Sequence, residues 1–266
     1  AVNERSKRMV LQNISAVLSN FLESGLFENI LFCWVMHEES IVKEILSRMP
    51  GLPFRFFLFT LTCGERTLTE RLAADVAAGA RSGGIFARSK NRAARYDEML
   101  SYKIDTEGRS PEESAALIAK AVRGEILLLP YKATAYLTPE ARAIREEVFM
   151  REQGLAEEFD GRDENCLHLT FYKDGEPAAC CRCFETESEG VFAAGRIAVR
   201  KLFRGQGLGR YVLQAAEECA RRRGAKEMTL SAQVRARGFY EKCGYAAEGA
   251  PFDEEGVPHV RMRKTL

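Results

Sequence analysis

No run of apolar residues in this 266-residue chain approaches the roughly 20 needed to span a bilayer, so the reading excludes a membrane helix. Charge of one sign is also missing. Lys and Arg number 39 against 38 Asp and Glu, a net of +1, and no global basic field points to nucleic acid. No signal peptide is legible, no internal repeat and no low-complexity segment. The phosphate-binding motif GxxxxGK[ST] occurs nowhere, and the dinucleotide fingerprint GxGxxG fails in both registers. From Gly205 its third position is Arg210, and from Gly207 it is Val212.

Cysteine is present but not in scaffold form. The eight residues are Cys33, Cys63, Cys166, Cys180, Cys181, Cys183, Cys219 and Cys243, most of them inside apolar runs. They read as reduced, buried thiols of a cytoplasmic protein. Cys180, Cys181 and Cys183 look at first like zinc ligands. They would alternate across a strand, however, and no His or Cys partner pair follows at finger spacing, so no metal is expected.

The apolar periodicity divides the chain in two. Residues 5–24 carry Val10, Leu11, Ile14, Val17, Leu18, Phe21 and Leu22 on one helical face, and Gly25 stops the helix. The runs "NILFCWVM" (29–36) and "FRFFLFTL" (54–61) read as strands buried on both faces, each followed by a helix, over 39–48 and 65–79. A polar, arginine-rich stretch occupies 81–98. A short strand at 101–105 leads to a helix with Ser110 as N-cap, Pro111 at its first position and Glu113 completing a capping box. Strands alternating with helices make a parallel α/β layer. The pattern changes near Pro130. A strand over 131–137 and a helix opened by Thr138 and Pro139 come next. An acidic loop, three strand-like runs, a glycine-rich turn with its helix, and the strand "EMTLSAQ" follow. A short helix over 234–243 and "GVPHVRMRKTL" end the chain. The expected fold is α/β with two domains, 1–128 a partial parallel layer and 129–266 a mixed sheet. The opening "AVNERSKRMV" lacks an initiator Met and stands inside a helical pattern, which suggests a fragment of a longer chain.

The turn "RGQGLG", residues 204–209, carries the main chemical signal. A strand ends at 195–199. From Leu208 the apolar residues Tyr211, Val212, Ala215 and Cys219 recur at helical spacing, and Arg221, Arg222 and Arg223 occupy the last turn before Gly224. The glycines therefore sit between a strand and a helix N-terminus. Free backbone N–H groups and the macrodipole make an anion site there, and glycine lets a phosphate or pyrophosphate come close.

The pattern R-x-x-G-x-G, as Arg204, Gly207 and Gly209, resembles the pyrophosphate loop of the GNAT acetyltransferase superfamily. "GFYEKCGY" (238–245) resembles that family's later helix, which carries a tyrosine before a final strand. "REEVFMREQG", "FDGRDENCLHL" and "PFDEEGVPHVRM" resemble a group of small bacterial N-acyltransferases of that family. The resemblance covers about 131–266 and implies acetyl-CoA as cosubstrate and an amine as acceptor. It implies that backbone N–H groups of Gly205, Gln206, Gly207, Leu208, Gly209 and Arg210 hold the pyrophosphate with Arg204 beside them. It implies that the strand edge at Ile197, Ala198 and Val199 pairs with pantetheine, and that Tyr240 protonates the leaving thiolate. Many relatives carry Asn where this chain has Gln233.

The chemistry needs a neutral amine, and a free alkylamine has a pKa near ~10, so a base or a desolvating site is required. Candidate bases are Glu147, Asp163, Glu164 and His168, with Glu147 and Asp163 first and a water relay as the alternative. His168 and His259 read more simply as strand histidines. The acidic run Glu157, Glu158, Asp160, Asp163 and Glu164 would draw a small cationic amine if it lined the acceptor cleft.

The first half resembles the later part of small P-loop kinases, with Arg88, Arg92 and Arg95 on one helical face as lid arginines or as a solvated face. Its Walker A loop is absent. The expected function is an acetyl-CoA-dependent N-acetyltransferase acting on a small amine, with no nucleic-acid or membrane partner and a homodimer as one possible state. The alternatives are a phosphotransferase in a longer parent chain with an accessory GNAT domain, and a non-catalytic CoA sensor.

Overall fold

The computed structural model describes residues 3–49, 51, 53–155, 158–254 and 256–266; Glu157 of the acidic run lies outside the described residues. Asn3 and Ser6 form a reciprocal cap that opens α1 (Glu4–Ser24), and Gly25 closes it in the left-handed region at φ 62°. α1 lays Leu11 and Ser15 against α2 (Glu39–Ser47), which answers with Val42 and Ile45. β1 (Phe59–Thr62) crosses through α3 (Glu65–Ala77) and α4 (Ile85–Glu98) to β2 (Tyr102–Asp105), with which it pairs in parallel. α5 (Pro111–Val122) follows, and its Ser110–Glu113 capping box forms as expected.

This half departs from the sequence reading in two places. Residues 29–36 form no strand, and Leu31 is 93% exposed with Trp34 and Val35 also in solvent. The run expected over 54–61 is a strand only from Phe59, because β2 offers four residues for pairing. An apolar run becomes a buried parallel strand only where neighbours cover its edges and faces. Among the described residues the small sheet has two strands and gives 29–36 no such neighbour. The arginine-rich stretch is helical from Ile85, and Arg95 of that helix pairs with Glu38.

The second half is a seven-stranded mixed sheet. In chain order it comprises β3 (Tyr131–Thr134), β4 (Leu167–Lys173), β5 (Glu176–Glu185), β6 (Val191–Val199), β7 (Glu227–Gln233), β8 (Ala246–Glu254) and β9 (Val257–Thr265). Their order across the sheet is β3-β4-β5-β6-β7-β9-β8. β3 stops at Thr134, three residues short of the expected end, where its hydroxyl turns to the carbonyl of Tyr136. Alternation sends Cys181, Cys183, Leu169 and Phe171 to one face, under α7 (Leu208–Arg222). Cys180 and Ala198 go to the other face, under α6 (Pro139–Arg145) and the π-helical segment Glu146–Glu152. The cysteine cluster is thus core. Burial pushes the Cys180 thiol up to about 12, and the Cys181 and Cys183 thiols further. α8 (Arg237–Lys242) precedes the β8–β9 hairpin.

Several contacts join the halves, among them a buried lysine and an arginine pair. Lys103 of β2 donates to the Tyr131 carbonyl of β3 at 2.6 Å and lies over the Tyr131 ring. Arg222 and Arg223, at the end of α7, both reach Asp97 of α4. No described helix is long and apolar enough to cross a membrane.

Candidate functional site

β6 and β7 part company in mid-sheet. They pair in parallel only from Val191 to Ala193 with Glu227 to Thr229. β6 runs on to Val199 and β7 to Gln233 without bonding each other, so from Ala194 the edge of β6 that faces β7 has no strand partner. A cleft of about 1280 Å³ opens there, lined among others by Gly195, Arg196, Ile197, Ser231, Gln233 and Tyr240. A register shift between Cys180 and Arg182 marks a bulge opposite, and Arg196 sits at φ 51°. An arginine in the left-handed region is strained, and such strain survives only where its surroundings hold it. Here the Arg196 guanidinium reaches the Glu158 carbonyl at 3.2 Å and its carboxylate at 3.0 Å.

Along the chain, β6 leads through the short turn Lys201–Phe203 into the glycine turn. Gly205 and Gly207 adopt φ 75° and 84°, which explains why those two positions are glycine. Among the described residues, none of the backbone N–H groups from Gly205 to Arg210 has an acceptor; Tyr211 is the first to bond back, to Gly207. Leu208 is buried beside Leu129, Ala178 and Phe203, and this anchors the helix end while its N–H stays free. A Cβ at Gly209 would come within 3.3 Å of the Phe239 ring. The turn can receive an anion.

The side chains around it have partners of their own. Arg204 donates to both carboxylate oxygens of Glu152, at 2.6 and 2.8 Å, and to the Val199 carbonyl. The Gln206 side-chain oxygen accepts from Lys173. Arg210 turns away to the Lys242 carbonyl at the end of α8. Ile197 faces the cleft, Ala198 is buried under α6, and the Val199 carbonyl is the Arg204 acceptor.

Tyr240 lies on the cleft wall, packed edge-on against Phe239 and Tyr245. Its hydroxyl makes no hydrogen bond among the described residues, and burial pushes it up to about 12, so it stays protonated. The residues that seat α8 on the core are Tyr240 itself and Cys243. Phe239, which helical spacing would also turn inward, is 37% exposed and covers Gly209 instead.

Both first-choice bases have another task. Glu147 is held by Arg200 at 2.8 Å. Asp163 accepts from Arg145 at 2.8 and 3.1 Å and from Arg182 at 2.7 Å, and the two guanidinium groups keep it below the usual carboxylate range despite its burial. A carboxylate held low by paired cations is a poor proton acceptor. Glu164 is exposed. His168 is buried with its Nε2 2.9 Å from the Asp163 carbonyl, and burial lowers its basicity, as befits a strand histidine.

Glu158, Asp160 and Asp163 of the acidic run are engaged in the same way. Arg145, 1% exposed, bonds Glu158 and Asp163; Arg182 bonds Asp160 and Asp163; Arg196 bonds Glu158 and Asp160. These three carboxylates therefore give the cleft little net negative charge, which weakens the ground for expecting a cationic acceptor. The network has its own pH signature. Asp160, whose carboxyl the Arg182 hydrogen bonds hold at about 2, contributes stability above the ordinary carboxyl range, and that stability is lost as pH falls from about 4 towards 2. Urea unfolding from pH 6 to 2.5 should show this loss, and Asp160→Asn should start less stable and fall less steeply.

Sequence reasoning missed the bridges that shape the cleft. Gln153, at the end of the π-helical segment, accepts from Gln233 at 3.0 Å, and Arg235 donates to Gln233 at 2.8 Å. The local signal was the Asn-to-Gln change at Gln233, but its partner lies on another element.

Residues 134–266 match the family described as "Acetyltransferase (GNAT) domain". The uncharacterized protein YyaT of Bacillus subtilis is 34% identical over 132 residues, 48% of this chain and 88% of that one. The uncharacterized N-acetyltransferase YjcF of the same organism is 34% identical over 128 residues, 47% of this chain and 90% of that one. Among solved structures, an acyl-CoA N-acyltransferase from Pseudomonas aeruginosa is 29% identical over 52% of this chain and 99% of its own, with a TM-score of 0.47. Through residues 134–266, this chain belongs to the GNAT acetyltransferase family.

Proposed function

We propose that the chain is an N-acetyltransferase that moves an acetyl group from acetyl-CoA to an amine. The observation that carries this reading is the cleft edge of β6 running, without a strand partner, into a glycine turn whose N–H groups lack acceptors. A pyrophosphate fits that turn by charge and by hydrogen bonding. The free edge at Ile197 to Val199 can pair with an extended amide-bearing arm, as one strand pairs with the next. A backbone N–H of the same edge can stabilise the oxyanion that forms when the amine attacks the thioester. The amine gives up its proton to water in the cleft, the departing sulfur takes one from the Tyr240 hydroxyl, and the Tyr240 oxygen recovers a proton from that water.

The free hydroxyl of Tyr240 favours a catalyst over a CoA sensor. For residues 1–128 the reading is a separate P-loop-kinase-like layer with its boundary near residue 129; β1 and β2 forming a sheet of their own, while β3 joins the large one, is the observation on its side. The direct test is thiol release from acetyl-CoA across a panel of amines, with acetyl-CoA binding followed by calorimetry. Binding together with amine-dependent release is the expected result. Binding without release for any amine would favour the sensor.

A further inference from the structure

The two walls of the cleft use their charges differently. On one side, the Glu158 and Asp160 carboxylates are held by Arg145, Arg182 and Arg196. On the other, β7 and β9 set Thr229 opposite Arg263, Ser231 opposite Arg261 and Gln233 opposite His259. Between these rungs Leu230, Ala232, Val260 and Met262 turn to the core, so the six polar residues share the cleft face.

Most of that face is already engaged. Arg263 bonds Glu227 and Glu248. Gln233 is bonded by Arg235 and Gln153. His259 bonds the Val257 carbonyl through Nδ1. Arg261 differs. Its register neighbour on β8 is Glu248, whose carboxylate goes to Arg263 instead. Among the described residues Arg261 and Ser231 make no side-chain hydrogen bond or ion pair, and both are exposed. The other carboxylates of the cleft, Glu185, Glu187 and Glu254, lie at or beyond the ends of β5 and β8. A guanidinium and a hydroxyl thus stand side by side on this wall of the cleft with no counter-charge among the described residues. A planar guanidinium that loses water to a bound molecule needs an anion to replace it, and a carboxylate fits its fork.

We propose that Arg261, with Ser231, holds a carboxylate of the acceptor, so that the substrate class is an amine that also bears a carboxylate. The inference rests on the acetyltransferase reading above. β9 lies one strand spacing, about 4.8 Å, beyond β7, and β7 is itself splayed from β6. The amine and the carboxylate are therefore separated by several methylenes, as in an ω-amino acid.

The test measures kcat/KM by thiol release for matched pairs, 6-aminohexanoate against hexylamine and 4-aminobutyrate against butylamine, with spermidine as a polycation. The amino acid of at least one pair should be favoured about fivefold to tenfold. Arg261→Gln should bring that pair within about twofold, by raising KM for the amino acid, and Arg261→Lys should restore part of the difference. Because Arg261 is exposed and unbonded, both variants should fold, which thermal unfolding verifies. A preference for the bare amines or spermidine overturns the proposal, as does an Arg261→Gln variant that lowers both members equally. Acetyl-CoA binding without turnover of any amino acid overturns it while leaving the cofactor site standing. Absence of acetyl-CoA binding overturns the acetyltransferase reading and this proposal with it.

Discussion

Gly207→Val is expected to weaken acetyl-CoA binding by about thirtyfold or more while the protein stays folded. Gly207 sits at φ 84° as the residue that precedes α7. A β-branched residue is a genuine outlier there, and the left-handed region costs an ordinary L-residue about 1–2 kcal/mol. Space is not the obstacle, since the nearest atom to an added Cβ is the Leu127 Cδ2 at 3.6 Å, an ordinary contact. The turn can therefore relieve the strain by changing its path, and the N–H groups from Gly205 to Arg210 then no longer converge. About 2 kcal/mol of lost binding corresponds to roughly thirtyfold in Kd. Gly224, at the far end of α7, is the matched control. It has φ 94° and nothing within 4 Å of an added Cβ. Gly224→Val carries the same backbone penalty away from the turn, so it should lower the melting temperature and leave the acetyl-CoA Kd within about twofold. Calorimetric titration of both variants decides. Equal Kd values for Gly207→Val and the parent chain, with both folded, would remove the anion from this turn.

What the sequence showed and what it hid follow from the distance over which each signal acts. The glycine turn, the Ser110 cap and the alternating strands β4 to β6 depend on residues within a few positions of one another, and they were legible. Residues 29–36 were misread because an apolar run has no preferred partner of its own; its strand state depends on neighbours that the described sheet does not supply. The partners of Glu147 and Asp163 were hidden for a similar reason. A carboxylate looks like a base until its cation is located, and their partners Arg200, Arg145 and Arg182 come from other elements. The same distance hid the Gln153–Gln233 bridge and the strain at Arg196. Its effect was largest for the acceptor, where a run of acidic residues suggested a cation site. Paired with three arginines, Glu158, Asp160 and Asp163 act as a strut beneath the β6 bulge, and among the described residues the unpaired charge at mid-strand on the opposite wall is the positive one at Arg261.

Tyr240→Phe is expected to lower kcat by about thirtyfold and to leave acetyl-CoA affinity within about threefold. The ring does structural work: it packs against Phe239, Tyr245 and the main core cluster, and Phe preserves all of those contacts. The hydroxyl does none that the described residues reveal, since it bonds to no side chain or backbone group there. The hydroxyl stands on the cleft wall, where a bound molecule can reach it. Donating a proton to a departing thiolate is a use open to it there. The phenol, pushed up to about 12, is fully protonated at neutral pH. General acid catalysis is typically worth about 10²–10⁴-fold, and water entering the wide cleft can replace part of it, which sets the smaller figure. The two roles separate in the kinetics. If Tyr240 only packs, the Phe variant keeps kcat, and its melting temperature is the same or slightly higher. If it donates the proton, kcat falls while the acetyl-CoA Kd holds, because the interaction exists in the transition state and not in the bound ground state. The loss should also shrink when acetyl-CoA is replaced by an acetyl thioester with a more acidic thiol, whose thiolate leaves with less need of a proton. A Phe variant with the parent kcat, measured where the chemical step limits the rate, would return Tyr240 to the core and leave water as the acid.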